Sequence, residues 1–136
     1  MDLDAPISTI MTAGPESVTP ETPLVRVQDI LFRNHVHHVP VTRERTLLGI
    51  VSSNDLLNAV GGDRFAAASS VGAMLERLTV AEAMTTELVT LGPDEPIRRA
   101  VELLRVGSFH ALPIVQDGEL VGIVTTADLL GLVLAG

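Results

Sequence analysis

Residues 122–128 read Gly-Ile-Val-Thr-Thr-Ala-Asp, and residues 49–55 read Gly-Ile-Val-Ser-Ser-Asn-Asp. Glycine followed by β-branched residues is typical of the end of a buried strand, and the Ser or Thr after it is a preferred helix N-cap. The Asp lies three residues past the cap, where a capping box usually has Glu or Gln. Each stretch therefore predicts a strand-to-helix junction that holds a hydroxyl, a carboxylate and free backbone N–H groups together. Such a junction can bind phosphate or ribose.

The two stretches belong to a longer internal duplication. Aligning Met11 with Met84 gives an offset of 73 residues, and this offset holds without a gap as far as Asp55 and Asp128. Self-similarity sustained over this length predicts two structural repeats. The matched pairs include Pro20 and Pro93, Pro23 and Pro96, Arg26 and Arg99, Leu31 and Leu104, His37 and His110, Pro40 and Pro113, Leu47 and Leu120, and Gly49 and Gly122.

Each repeat is predicted to fold as β-α-β-β-α, so the predicted fold class is α/β (α+β). Apolar residues recur at helical spacing after Pro23 and after Pro96, and proline favours the first turn of a helix. We expect these helices to end near Asn34 and Gly107, since both residue types favour a C-terminal stop. The other predicted elements, for repeat 1 and then repeat 2, are single helical turns at 7–11 and 80–84, extended segments at 17–19 and 88–91, hairpins at 39–51 and 112–124, and closing helices from 54 to about 60 and from 127 to about 134.

The predicted boundaries are repeat 1 at residues 7–60, a linker at 61–79 and repeat 2 at 80–134. Within the linker, residues 64–78 are rich in alanine and are predicted to be either helical or mobile. A single repeat is too small to bury its apolar faces comfortably. We therefore expect the two sheets to pack together about a pseudo-twofold axis, with the helices outside, as one compact module with two equivalent clefts.

Composition excludes several classes of function. The chain has 136 residues, which suits one compact domain or two very small ones, and 46% of them are hydrophobic, which is ample for a core. A net charge of −8, three Phe and no Trp or Tyr argue against a nucleic-acid partner. The absence of cysteine excludes disulfides, thiol catalysis and zinc–thiolate sites. No apolar run reaches the roughly 18 residues of a membrane span, and the acidic N-terminus lacks a signal-peptide core, so we expect a soluble, cytoplasmic protein.

The repeated order of motifs resembles that of a tandem pair of CBS domains, also called a Bateman module. In each repeat this order is Met-Thr, a helix opened by proline, His-x-x-Pro-Val/Ile, and Gly-Ile-Val-Ser/Thr-x-x-Asp-Leu-Leu. The resemblance covers roughly residues 7–60 and 80–134. It implies that adenosine-containing ligands (AMP, ADP, ATP or S-adenosylmethionine) bind in clefts between the paired repeats, and that the module regulates another process such as energy sensing. It also implies a regulated protein partner, and the apolar closing helices predict a homodimer.

Carried over residue by residue, the resemblance implies two ligand-binding clefts. In each, an Asp carboxylate binds the ribose and the preceding Ser or Thr contacts ribose or phosphate. Apolar side chains would enclose the purine, and imidazole groups would meet phosphate. Cleft A contains Ser52, Asp55, Val89, Phe109 and His110, and cleft B contains Thr125, Asp128, Glu16, Val36, His37 and His38. The repeats differ at one of these positions, since Glu16 stands where Val89 stands in the other copy and would either repel phosphate or engage an amino group.

Each of these residues also has a purely structural interpretation. Asp55 and Asp128 fit a role as helix-end stabilisers, which contribute about 0.5–2 kcal/mol together with their caps. Phe109 fits the core as well as it fits a purine contact. His35, His37 and His38 fit either a metal site or a solvated, pH-sensitive edge, and phosphate contact is the favoured role for His37 or His38.

Three classes of function follow from the sequence. A regulatory module that binds an adenosyl ligand is the leading hypothesis. The alternatives are a ligand-free structural or dimerisation module and a metal-responsive module that uses the histidine cluster. Catalysis is not expected, because no activated nucleophile, dense carboxylate pair or glycine-rich phosphate loop is visible. The predicted dimer surfaces are the apolar closing helices, with Leu56, Leu57 and Val60 in repeat 1 and Leu129, Leu130 and Leu132–Leu134 in repeat 2.

Overall fold

The computed structural model describes residues 2–61, 70–107 and 109–135, and it has a mixed α/β fold. This confirms the predicted fold class. Two 3₁₀ turns, at Ile7–Thr9 and Val80–Glu82, stand where single helical turns were predicted. The strands are β1 (Thr12–Ala13), β2 (His38–Arg43), β3 (Thr46–Ser52), β4 (Ala111–Gln116) and β5 (Glu119–Thr125), and the helices are α1 (Leu24–Asn34), α2 (Ser53–Val60), α3 (Val71–Arg77), α4 (Ile97–Arg105) and α5 (Thr126–Ala135).

The chain forms two compact units whose limits differ from those of the sequence repeats. One unit is Glu16–Leu88, and the other joins Met1–Pro15 to Val89–Gly136. The first segment of each repeat therefore packs on the body of the other repeat. We call Glu16–Leu88 the central unit and the two joined segments the terminal unit.

In the central unit, β2 and β3 form an antiparallel hairpin with a bulge between Val41 and Thr42. The predicted extended segment before α1 is present, since Val18 forms a parallel bridge to Val41. Helices α1 and α2 pack on the hairpin, α3 packs against α1 and α2, and the core is almost entirely aliphatic. Its buried residues are Val18, Leu24, Val27, Ile30, Val39, Val41, Val51, Leu56, Val60, Met74, Leu75 and Val80.

The terminal unit repeats this arrangement. Strands β4 and β5 form an antiparallel hairpin with its bulge between Ile114 and Val115, and Leu91 bridges in parallel to Ile114. Strand β1 is antiparallel to β5 and pairs with it, Thr12 opposite Ile123 and Ala13 opposite Gly122. The buried core residues are Ile7, Leu91, Ala100, Leu104, Leu112, Ile114 and Val124.

Backbone hydrogen bonds join the segments that make up each unit. We call the first segment of each repeat, which packs on the body of the other repeat, an exchanged segment. In the central unit, the Leu24 N–H at the start of α1 donates to the Leu78 carbonyl at 2.9 Å. In the terminal unit, the Ile97 N–H at the start of α4 donates to the Ala5 carbonyl at 3.0 Å. Free N–H groups at a helix start need acceptors. In both units one acceptor therefore comes from the residues just before a repeat, Leu78 before repeat 2 and Ala5 before repeat 1.

The predicted helix starts need a small correction, while the ends are confirmed. Pro23 and Pro96 have extended backbones and are the N-caps of α1 and α4, one position before the first helical turn. Helix α1 ends at Asn34 as predicted, and Gly107 follows the end of α4 with a left-handed φ of +85°. In α1 the left-handed residue is His35 (φ +53°). The position in repeat 2 that matches Asn34, the last residue of α1, is Gly107, and α4 already ends at Arg105.

The predicted linker and dimer surface are both only partly as expected. Helix α3 occupies Val71–Arg77, within the stretch predicted as helical or mobile, and residues 62–69 lie outside the described residues. The assignment of Leu56 and Val60 to a dimer surface was wrong, because both are buried in the central core. Only Leu57 of that group is well exposed. Helical spacing puts positions 56 and 60 on one face and 57 on another.

No helix in the described ranges 2–61, 70–107 and 109–135 has the length and apolar character needed to cross a membrane.

Candidate functional site

The first candidate corner lies where β3 runs into α2. Ser52 is the N-cap of α2, and its Oγ accepts a hydrogen bond from the Asp55 N–H at 3.1 Å. In return the Ser52 N–H donates to Asp55 Oδ2 at 2.8 Å. The predicted capping box is confirmed, with both side chains half-buried. One oxygen of the Asp55 carboxylate is thereby used by the backbone, and Oδ1 points away from that bond.

The second corner, where β5 runs into α5, has the same plan with different details. The Thr125 N–H donates to Asp128 Oδ2 at 2.8 Å, and the Asp128 N–H reaches Thr125 Oγ1 at 3.4 Å. In addition, the Thr125 hydroxyl donates to Asp128 Oδ2 at 3.2 Å. Both bonds between Oδ2 and Thr125 hold the carboxylate in one orientation. Among the described residues, no group donates to Asp128 Oδ1.

Thr85 joins the first corner, and the sequence analysis missed it. Its Oγ1 donates to Asp55 Oδ1 at 3.4 Å, while its backbone exchanges two hydrogen bonds with Ile50 of β3. Gly49 permits this pairing, since a Cβ there would lie only 2.8 Å from the Thr85 carbonyl oxygen. The available signal was the Met-Thr pair repeated at 11–12 and 84–85. Its placement beside Asp55 depends on pairing between segments distant in sequence.

Two of the predicted histidines adjoin the first corner through the backbone. His38 pairs with Ser52 in the hairpin, and the His37 carbonyl accepts a hydrogen bond from the Ser53 N–H at 3.0 Å. His35 instead occupies the left-handed end of α1. Within the described ranges 2–61, 70–107 and 109–135, no three His, Cys, Asp or Glu side chains come together as metal ligands would. His37 and His38 thus lie beside the N-cap of α2, and none of the three histidines belongs to such a cluster among the described residues.

The second corner has an equivalent histidine neighbour. Ala111 pairs with Thr125 in the hairpin, and the carbonyl of His110 accepts a hydrogen bond from the Thr126 N–H at 3.4 Å. Phe109 and Val89 are half-buried and pack against the core of the terminal unit. Phe109 therefore contributes to the core of the terminal unit. Contact between its exposed part and a purine stays a prediction.

Glu16 is engaged by the C-terminal end of α1. Asn34 Nδ2 donates to Glu16 Oε1 at 3.0 Å, and the Arg33 guanidinium lies 3.5 Å from Glu16 Oε2. The hydrogen bond from Arg33 to Asp29, with the charges of Asp29 and Glu16, raises the pKa of Arg33 above its ordinary value. From the sequence, Glu16 was predicted either to repel phosphate or to engage an amino group. In the structure a cation lies beside it.

The candidate residues divide between the two units as their chain positions require. Each unit contains one hydroxyl–carboxylate corner and the histidine that adjoins it. The pairing of each corner with residues of the opposite unit, as in predicted clefts A and B, stays a prediction. The central unit contains Glu16, Val36, His37, His38, Ser52 and Asp55, and the terminal unit contains Val89, Phe109, His110, Thr125 and Asp128.

Comparison with protein-family models decides the family. The model described as "CBS domain" matches twice, at residues 7–62 and 80–135. The chain belongs to the CBS-domain family. The two matches confirm the resemblance found in the sequence and contain both corners, so the chain is a CBS pair.

Individual relatives support the same assignment. A homoserine O-acetyltransferase from Methanohalobium evestigatum is 29% identical over 106 residues, which cover 76% of this chain and 19% of that enzyme. The CBS pair thus spans about a fifth of that relative's length. The CBS domain-containing protein YhcV from Bacillus subtilis is 28% identical over 122 residues, covering 88% of this chain and 79% of YhcV.

A solved structure of similar size adds a ligand-bound comparison. CBSX2 from Arabidopsis thaliana is 27% identical and superposes with a TM-score of 0.81, covering 96% of this chain and 95% of CBSX2. A CBSX2 structure in complex with AMP is 25% identical, with a TM-score of 0.80 and coverage of 96% and 97%.

Proposed function

We propose that this CBS pair is a regulatory module that binds an adenosine-containing ligand at its two hydroxyl–carboxylate corners. The observation that carries the proposal is the corner itself, present twice, in which a capping box fixes an Asp and turns one carboxylate oxygen away from the backbone. A ribose cis-diol offers two O–H donors to such an oxygen, and charge-assisted hydrogen bonds are the strong ones. The AMP complex of CBSX2 supports the choice of ligand class.

The remaining residues of clefts A and B are proposed to enclose the rest of the ligand. At the corner of Ser52 and Asp55, the proposal adds Val89, Phe109 and His110. At the corner of Thr125 and Asp128, it adds Glu16, Val36, His37 and His38. Exposed imidazoles suit phosphate oxygens, and the Arg33 guanidinium beside Glu16 reduces the repulsion that a bare carboxylate would exert on a phosphate. AMP, ADP, ATP and S-adenosylmethionine all remain within the proposed class.

Regulation would follow from a shift between states of the pair or of a homodimer. A ligand shifts such an equilibrium by no more than its differential affinity for the two states. We propose that a separate protein or domain receives this signal, and the proposal does not name that protein or the process it carries out. The relatives that carry a similar segment within a longer enzyme are consistent with a module that acts on another domain.

Isothermal titration calorimetry with AMP, ADP, ATP and S-adenosylmethionine tests the proposal. The informative variant is Asp128→Asn, because its amide oxygen can still accept the Thr125 N–H while the negative charge is lost. We expect it to weaken the affinity of the second corner at least about tenfold, the effect of losing one charged hydrogen bond. Asp117→Asn is the matched control, since it removes one charge at an exposed turn whose left-handed φ of +53° suits Asn as well as Asp.

Two results would contradict the proposal. One is the absence of heat with all four ligands for a protein shown to be folded by circular dichroism. The other is ligand binding that Asp55→Asn and Asp128→Asn leave as strong as Asp117→Asn does. The first result would refute the proposal that the protein binds an adenosine-containing ligand. The second would keep a ligand and remove both corners as its site.

Dimerisation through α5 is a second candidate function, supported by the exposure of that helix. All ten residues of α5 lie in the described part of the chain, and none of them is buried. The exposed fractions of Leu130, Val133 and Leu134 are 58%, 62% and 90%. An apolar surface of this kind on a monomer is unusual. Light scattering of wild-type protein and of Leu134→Glu tests it, and a monomeric wild type at high concentration would remove this function without affecting the calorimetry.

A further inference from the structure

The two corners offer different hydrogen-bonding groups to a ligand. At the first, Asp55 Oδ1 already accepts the hydroxyl of Thr85 at 3.4 Å. At the second, Asp128 Oδ1 accepts no hydrogen bond from any residue in 2–61, 70–107 or 109–135. Thr12 occupies the repeat position that matches Thr85, yet its side chain makes no bond to Asp128 within the same part of the structure. The repeats therefore differ at the oxygen that a diol would use.

We infer that the corners bind ribose unequally, with Asp128 the tighter site, and that Thr85 sets the difference. This inference rests on the proposed function. A cis-diol can donate to Asp128 Oδ1 directly, because both bonds from Thr125 already go to Oδ2 and fix the carboxylate. At Asp55 the diol must first displace the Thr85 hydroxyl or share the oxygen with it. Breaking the bond from Thr85 subtracts its net contribution from the binding free energy at Asp55, whereas at Asp128 Oδ1 no hydrogen bond from a described residue has to break.

The backbone of Thr85 cannot withdraw to relieve this competition. Its N–H donates to the Ile50 carbonyl at 2.8 Å, and its carbonyl accepts the Ile50 N–H at 2.9 Å. Gly49 lets this pairing approach so closely that an added Cβ would lie 2.8 Å from the Thr85 oxygen. Only rotation of the side chain can therefore move the hydroxyl. Thr85 thus acts as a specificity-determining residue at the Asp55 corner, because its hydroxyl competes with the ligand for Oδ1.

Calorimetric titration with AMP tests the inference in wild-type protein and in single-corner variants. We expect two classes of site with dissociation constants about fivefold apart, the size of one modest hydrogen bond. Asp128→Asn should weaken the tighter class at least about tenfold, so that its affinity falls below that of the Asp55 corner, and Asp55→Asn should weaken the other class by a similar factor. In the Asp128→Asn background, Thr85→Val should tighten the remaining site about fivefold. Thr12→Val in the Asp55→Asn background is the matched control and should leave the remaining site unchanged.

The possible outcomes separate this inference from the proposed function. Equal affinities at two sites, or a tighter site that Asp55→Asn removes, would overturn the inference while ligand binding stands. Weaker or unchanged binding in Thr85→Val would also overturn it, since the hydroxyl would then assist the ligand or be irrelevant to it. A single site that is lost in Asp128→Asn supports the inference. Absence of AMP binding in the folded wild type would refute the inference and count against the proposed function as well.

Discussion

Replacing Gly49 with alanine would push a methyl group against the backbone of the exchanged segment. The new Cβ would lie 2.8 Å from the Thr85 carbonyl oxygen and 3.2 Å from Met84 Sδ. Thr85 resists displacement because it exchanges two hydrogen bonds with Ile50. The methyl group must therefore displace a paired backbone, which has far fewer ways to adjust than a flexible side chain has.

The expected loss of unfolding free energy is about 2 kcal/mol. Overpacking a well-packed site costs up to about 3 kcal/mol. Alanine recovers about 1 kcal/mol relative to glycine inside a strand, because glycine loses more conformational entropy on folding. For a chain of this length, 1 kcal/mol corresponds to about 3 °C in Tm, so the Tm should fall by about 6 °C.

Gly122→Ala is the matched control, at the equivalent position of the terminal unit. Its Cβ would meet Met11 Sδ at 2.5 Å and Met11 Cγ at 3.0 Å, with the Thr12 carbonyl oxygen at 3.1 Å. The closest atom belongs to a methionine, whose three rotatable bonds let the thioether move away. We therefore expect a change within about 1 kcal/mol, because the remaining overlap is small and the strand entropy is regained.

Urea unfolding followed by circular dichroism measures both variants. If the units unfold in separate transitions, the Gly49 variant should shift the transition of the central unit alone. Equal destabilisation by the two substitutions, or a larger effect at Gly122, would refute the reasoning. Such a result would mean that the contact with a paired backbone is no more costly to relieve than the contact with a methionine side chain.

Two further predictions concern exposed positions. Gly118→Ala should destabilise the protein by about 1 kcal/mol, because Gly118 has a left-handed φ of +81°. Gly72→Ala should stabilise α3 by about 0.5–1 kcal/mol, because alanine favours a helix and the added Cβ meets no other atom. Thermal melts should therefore show a lower Tm for the first variant and a higher Tm for the second. The hydrogen bond from Arg43 lowers the pKa of Glu21 below its ordinary value, so the stabilisation by this ion pair is present at neutral pH and is lost as the pH falls through the folded pKa. Glu21→Gln should therefore lower the Tm at neutral pH but not in strong acid, with Glu87→Gln as the control, and a pH-independent difference would contradict this.

The local parts of both corners were predictable from the sequence. A capping box joins residues only three apart, so Ser52 with Asp55 and Thr125 with Asp128 were fixed by short-range patterns. The hairpins and helices were predictable for the same reason, because the patterns that indicate them also join residues close in sequence. The duplication also supplied an internal check, since every element inferred in one repeat had to recur in the other.

The long-range parts were not predictable in this way. Thr85 reaches Asp55 across 30 residues of sequence, and Glu16 reaches Asn34 across 18. Such pairings depend on which segment packs on which unit, and hydrophobic periodicity carries no information on that choice. The burial of Leu56 is a different case. Its spacing from Val60 already places both residues on one helix face, apart from Leu57.

Thr85, which contacts Asp55, lies close in sequence to the end of the central unit at Leu88. Thr85 contacts Asp55, and the chain reaches Val89, the first residue of the next segment of the terminal unit, only four residues later. A ligand that displaced the Thr85 hydroxyl would therefore act on a residue close in sequence to the boundary of the central unit. Thr12 precedes Glu16 by the same four residues, but it makes no hydrogen bond to Asp128 in the described structure. If coupling between the corners exists, it should accordingly depend on Thr85 more than on Thr12, because a site biases another only through an element that its ligand contacts.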